Sequence, residues 1–191
     1  IHGFTGHSQE NWFPWFKKEM ENRGAKVIIP DLPNTNKPKL EEWLDHLKGL
    51  EKDFEGDLVV IGHSLGAPTA CKFIEENDLT VQKLILVAPA SEKSLNYQGL
   101  MQRGFNESDL NLLKDFLTLK FDWEKINKKV AERIIYLSKD DPYINLKAEK
   151  EFEWLGAGVK VFENKGHFSS SNGGILELPE ILEEFPELLN K

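Results

Sequence analysis

The chain has 191 residues, 24 Lys and Arg against 32 Asp and Glu, a net charge of −8 at pH 7 and a pI of about 5.2. With 40% hydrophobic residues and a mean hydropathy of −0.45, it has the composition of an ordinary soluble globular protein, long enough to bury a sizeable core as one domain over residues 1–191. The acidic balance argues against nucleic acid and anionic membrane surfaces as partners, and no apolar run approaches the roughly 18 residues of a membrane span.

The chain opens at Ile1 with no methionine, in Ile1–Gly6, which reads as the end of a strand followed by a glycine-rich loop. A few residues are therefore expected ahead of it. Residues 9–23 carry helical spacing, with Trp12, Phe13, Phe16 and Met20 on one face and Gly24 as the stop. Lys26–Ile29 reads as a short buried strand ended by Pro30-Asp31-Leu32-Pro33. Leu40–Phe54 reads as an amphipathic helix with Leu40, Trp43, Leu44, Leu47 and Leu50 as its stripe. Strand-forming residues from Leu58 to Ile61 run into Gly62-His63-Ser64-Leu65-Gly66, and a helix follows to about Asn77.

Gln82–Ala88 is the next buried strand. Ala90–Phe121 holds helical pieces, Leu95–Met101 and Ser108–Leu117, but no strand, and sits where another crossover belongs. A short helix over Asp122–Val130, a strand over Arg133–Ser138, a helix over Leu146–Leu155, a last strand over Val159–Phe162 and a final helix over Leu178–Leu189 complete the chain. Alternation of apolar strands with helices predicts a three-layer α/β/α sandwich on a mostly parallel sheet of about six strands, with sites at the carboxyl ends of the strands.

Gly-x-Ser-x-Gly between a strand and a helix is a nucleophile elbow, a tight turn that projects a serine hydroxyl off the sheet. A serine is a weak nucleophile and needs a base; the base needs a partner that fixes its tautomer; the developing oxyanion needs N–H donors. Ser64 is the expected nucleophile. His167, just past the last strand, is the expected base, because His63 is pinned inside the elbow, His2 belongs to the first loop, His7 lies in an early loop and His46 on a mid-chain helix. Asp140 and Asp141, adjacent at the end of a strand, compete as the acid. The backbone N–H groups of Phe4 and Leu65 are the expected oxyanion donors.

Other features have plainer readings. Trp12, Trp15, Trp43 and Trp154 are expected in core or inter-helix packing. Cys71, the single cysteine, allows no intrachain disulfide, is expected to be buried, and fits a reducing, cytoplasmic location. Glu41-Glu42, Glu75-Glu76 and Glu183-Glu184 read as solvated faces, and none has the histidine neighbours of a metal site.

Ile1-His2-Gly3-Phe4, Gly62-His63-Ser64-Leu65-Gly66, Ser138-Lys139-Asp140-Asp141-Pro142 and Gly166-His167-Phe168 together resemble the α/β-hydrolase superfamily, and within it the small serine hydrolases of the RBBP9/YdeN family. The likeness spans nearly the whole chain; Ala90–Phe121 departs most from a minimal family member, and the resemblance implies that it forms a small helical lid. It implies a reduced hydrolase sheet lacking the first two strands of larger members. It also selects Asp141 as the acid, since the family's aspartate precedes a short segment ending in Val or Ile, as in Asp141-Pro142-Tyr143-Ile144. The triad it implies is Ser64, Asp141 and His167, acting on a small-molecule ester with no cofactor and no metal. Some members bind a partner protein through Leu-x-Cys-x-Glu; Ala70-Cys71-Lys72 does not match, so that role is not expected. The same triad would also serve a thioesterase, a peptidase or a lyase, and a further alternative is a non-catalytic protein-binding member of the family. Turnover of short p-nitrophenyl esters separates the esterase from the first group, and labelling by a fluorophosphonate separates it from the second.

Overall fold

Four apolar runs form the sheet in a computed structural model that describes residues 1–171 and 173–189. They are β1 (Leu58–His63), β2 (Val81–Val87), β3 (Val130–Ser138) and β4 (Gly158–Phe162), all parallel and in spatial order β1-β2-β3-β4. Around them lie α1 (Phe13–Glu21), α2 (Leu40–Gly49), α3 (Gly66–Glu76), α4 (Tyr97–Gln102), α5 (Glu107–Leu117), α6 (Trp123–Lys129), α7 (Ala148–Glu151) and α8 (Pro186–Leu189). Among the described residues no helix is long and apolar enough to cross a membrane.

The register explains why β2 is apolar along nearly its whole length. It is laddered on both edges, Ile61 to Ile85 and Ile85 to Ile134, and every residue except Gln82 is buried. Side chains alternate between the two faces. Lys83, Tyr136 and Lys160 share one face, where each reaches the C-terminal segment at Glu184. That segment also meets α1 through the Phe16–Phe185 ring contact. Leu84, Leu86, Ile135 and Leu137 take the other face, and α3 and α6 pack there against β1 and β3. Helices therefore flank the parallel sheet on both sides, the expected three layers.

Among the described residues the strand count is four rather than about six. Ile1 makes both bonds of a parallel bridge to β1, donating to the Ile61 carbonyl (2.7 Å) and accepting from the His63 N–H (2.9 Å), but no following residue continues the ladder. Lys26–Ile29 has strand-like composition but no laddered neighbour, and composition alone cannot satisfy backbone groups.

Several helices are shorter than their periodicity suggests. α1 begins at Phe13 after a series of turns; the Leu40–Phe54 pattern is α2 followed by a 3₁₀ turn at Glu51–Asp53. Leu146–Leu155 divides into α7 and a 3₁₀ turn at Glu153–Leu155, which leaves Trp154 70% exposed instead of packed. Trp12 and Trp43 are buried as expected. Pro179 and Pro186 divide the last predicted helix into a 3₁₀ segment, Pro179–Glu184, and α8. This turns Glu184 inward: its carboxylate accepts from the Tyr136 hydroxyl (2.5 Å) and pairs with Lys160 (2.7 Å), so it is no part of a solvated face.

Candidate active site

β1 delivers the chain to Ser64, which has φ of 54°, the left-handed region that a non-glycine residue enters at a cost. Three backbone bonds hold it there. Ser64 N–H donates to the Val87 carbonyl (2.9 Å), and the Ser64 carbonyl accepts from Ala67 (3.1 Å) and Ala90 (3.2 Å). The flanking glycines are steric necessities. A Cβ on Gly62 would lie 2.6 Å from the Ala67 Cα, and one on Gly66 would lie 2.5 Å from the His2 carbonyl oxygen. Gly3 is as tightly placed, since a Cβ there would sit 2.9 Å from the Ser64 Cβ. The first loop thus lies directly against the serine.

His167 follows β4, with Gly166 (φ 51°) before it and Phe168 (φ 50°) after it. Its Nδ1 lies 2.9 Å and 3.1 Å from the two carboxylate oxygens of Asp141, and both side chains are nearly inaccessible. Asp141 Oδ1 also accepts from the backbone N–H groups of Tyr143 (2.8 Å) and Ile144 (3.0 Å), which fixes the carboxylate at the end of β3. An ionised carboxylate only accepts, so Nδ1 carries the proton and Nε2 of the neutral ring is left with a lone pair. Ser64 and His167 line one cavity of about 440 Å³. Ser64 Oγ and His167 are not hydrogen-bonded to each other among the described residues.

The second aspartate does something else. Asp140 Oδ1 accepts from the Ser138 hydroxyl (2.5 Å) and from the Gly166 N–H (2.9 Å). Burial opposes its ionisation, but these bonds outweigh that and hold its carboxyl below the usual range. Ser138 Oγ in turn accepts from the Lys165 N–H (3.0 Å). Asp141 therefore meets the His167 ring, and Asp140 meets the backbone of the same loop.

The remaining histidines separate clearly. His2 is buried; its Nε2 accepts from the Leu32 N–H (3.1 Å) and its Nδ1 faces the Gly3 carbonyl (3.0 Å), so it braces the first loop. Burial lowers its pKa to about 4. His63 is buried, with its pKa lowered to about 3 by burial and then by the neighbouring His167, and its Nε2 lies 2.8 Å from the His167 carbonyl oxygen. His7 is exposed beside Glu10, and His46 is exposed on α2. Cys71 is fully buried on α3, and burial pushes its thiol up, away from thiolate chemistry.

The N–H groups of Phe4 and Leu65 are spent on no backbone bond among the described residues, and both residues line the cavity. The cavity has an apolar wall from Leu95, Leu100, Leu113 and Leu117 of the α4–α5 segment. A polar wall holds Asn11, whose Oδ1 accepts from the Ser170 N–H (2.8 Å). An arc of rings runs from Phe4 to Phe105 (5.9 Å), Phe105 to Tyr143 (5.9 Å) and Tyr143 to the His167 ring (5.0 Å). Asn11, Phe105 and Tyr143 were not expected at the site from sequence. Tyr143 adjoins the aspartate motif, which was a usable cue; Phe105 comes from a segment with no motif.

A family model described as serine hydrolase matches residues 1–186. The YdeN protein of Bacillus subtilis (strain 168) is 30% identical over 178 residues, which cover 91% of this chain and 86% of that protein. Serine hydrolase RBBP9 of Rattus norvegicus is 26% identical over 162 residues, 84% of this chain and 79% of that protein. The crystal structure of the B. subtilis ydeN gene product superposes with a TM-score of 0.84 at 27% sequence identity, covering 100% of this chain and 97% of that one. These likenesses bear out the resemblance drawn from the motifs.

Proposed function

The chain belongs to the serine hydrolase family, and on that premise we propose that it cleaves small carboxylic esters through an acyl-enzyme on Ser64. The observation that carries this reading is a strained serine sharing one cavity with a histidine whose Nδ1 is bonded to a buried aspartate. Ser64 Oγ attacks the ester carbonyl while His167 Nε2 takes its proton. Asp141 holds the ring in the Nδ1–H tautomer and stabilises the imidazolium. The N–H groups of Phe4 and Leu65 receive the oxyanion. Collapse returns the proton from His167 to the departing alcohol. Water then attacks the acyl-enzyme, with His167 again as base, and the carboxylic acid leaves Ser64 with its proton restored. The leucine wall suits an alkyl acyl group, and the Ala90–Phe121 segment, which supplies that wall, acts as a lid.

A panel of p-nitrophenyl esters of increasing acyl length tests this, together with labelling by a fluorophosphonate. Turnover of at least one short ester and labelling at Ser64 are expected. A folded protein that turns over no member of the panel refutes the ester reading, and one that does not label refutes Ser64 as the nucleophile.

A further inference from the structure

The base sits on a loop whose backbone needs holding, because Gly166 and Phe168 on either side of His167 both have positive φ. One side of that loop is held from β3, where Asp140 takes the Gly166 N–H and Ser138 takes the Lys165 N–H. The His167 carbonyl is met by the ring of His63, the residue immediately before the nucleophile. Resting on the reading of His167 as base, we propose that His63 is a positioning residue: its imidazole donates to the His167 carbonyl and sets the ring of the base relative to Ser64.

The geometry gives His63 one protonation state. A carbonyl oxygen only accepts, so Nε2 must carry the hydrogen. Nδ1 is buried and has no partner, so a second proton there would be an orphaned donor. The ring is fixed by its place at the end of β1, by an edge contact with Phe13 (6.0 Å) and by the His167 ring (4.9 Å). His63 lines the same cavity as Ser64 and His167, and its ring's one hydrogen bond among the described residues goes to the backbone of the base rather than to the base's imidazole. It ties the strand that carries the nucleophile to the loop that carries the base, without passing through substrate.

The proposal separates from a packing role because His63→Phe keeps a planar ring but loses the donor, whereas His63→Gln keeps an N–H donor as many bonds from Cα as the histidine Nε2 but loses the ring. With a short p-nitrophenyl ester, His63→Phe is expected to lower kcat about tenfold or more with KM within about twofold, the size of effect one lost hydrogen bond produces. Fluorophosphonate labelling should slow in parallel, and His63→Gln should recover part of both rates. A His63→Phe enzyme with the parent kcat, or a loss that His63→Gln leaves untouched, overturns the proposal. A wild-type protein that neither labels nor hydrolyses overturns the reading of His167 as base, and this inference with it. A measurement that needs no variant is ¹⁵N-histidine NMR of the wild-type protein: a neutral Nε2–H tautomer for His63 is expected, and the Nδ1–H tautomer refutes the clamp.

Discussion

Acidification from pH 7.5 to 5.5 should weaken this fold through two histidines. His2 and His63 have pKa values lowered from 6.5 to about 4 and about 3, so both stay neutral in the folded protein across that range. Local geometry gives the same sign: His2 Nε2 accepts from the Leu32 N–H, and a proton on it would set two donors face to face. In the unfolded chain both rings take a proton near pH 6.5. Between the folded and unfolded values the unfolded state binds more protons, so stability falls as pH falls, by about 1.4 kcal/mol per pH unit for each ring. The two together should cost about 2.7 kcal/mol at pH 5.5 relative to pH 7.5. Asp31 and Asp140, held below the usual carboxylate range, lose their contribution only nearer pH 4, outside this window. Glu10, raised chiefly by burial, acts with the opposite sign and can only blunt the trend. Urea unfolding at the two pH values is the assay. With a slope of roughly 2 kcal/mol per molar urea, the midpoint should drop by about 1 M or slightly more. Equal midpoints would refute the claim that these rings are held neutral.

Three further outcomes are expected. Ser64→Ala and Ser64→Gly should each lose on the order of 10⁴-fold or more in kcat. The glycine variant should be about 1 kcal/mol more stable than the alanine variant, because glycine meets no Cβ penalty at φ 54°; urea unfolding compares them. Asp141→Asn should lower kcat by about 10⁴-fold, since an amide favours the wrong tautomer of His167, whereas Asp140→Asn should cost about tenfold or less, because an amide oxygen still accepts from Gly166; steady-state kinetics on one ester decides, and the reverse order would exchange their roles. Tyr136→Phe should destabilise by about 1–3 kcal/mol without changing KM, as it removes the hydroxyl that donates to buried Glu184; urea unfolding and ester kinetics read the two effects.

The elbow was legible because its residue types are forced: Gly62 and Gly66 leave no room for a Cβ, and only a strand followed by a helix makes that pattern a turn. Choosing between the two aspartates was not possible from residues alone. Both reach the same loop, and only the direction in which each leaves β3 separates ring from backbone contact. Strand composition misled at Lys26–Ile29, where pairing depends on a neighbour that apolar residues do not supply by themselves. Helical spacing misled at Trp154, and the paired carboxylates Glu183-Glu184 misled at Glu184, where 3₁₀ turns set side-chain directions that neither pattern encodes. The bond from His63 to His167 spans 104 residues, and no local pattern encodes it.

The position of β4 bears on how the site is lost. Like β1 it is an edge strand with one laddered neighbour, but none of its residues is buried, where β1 holds three, so it is the least protected strand of the four. His167 hangs from its end, while Asp141 hangs from interior β3 and the turn at Ser64 is stitched to interior β2. A sub-global opening of residues 158–167 would carry the base away and leave serine, acid and most of the sheet in place. Inactivation and unfolding then become separate events with separate free energies. Hydrogen exchange at the outermost strand, rather than at the core, would report how much of the protein is competent at any moment.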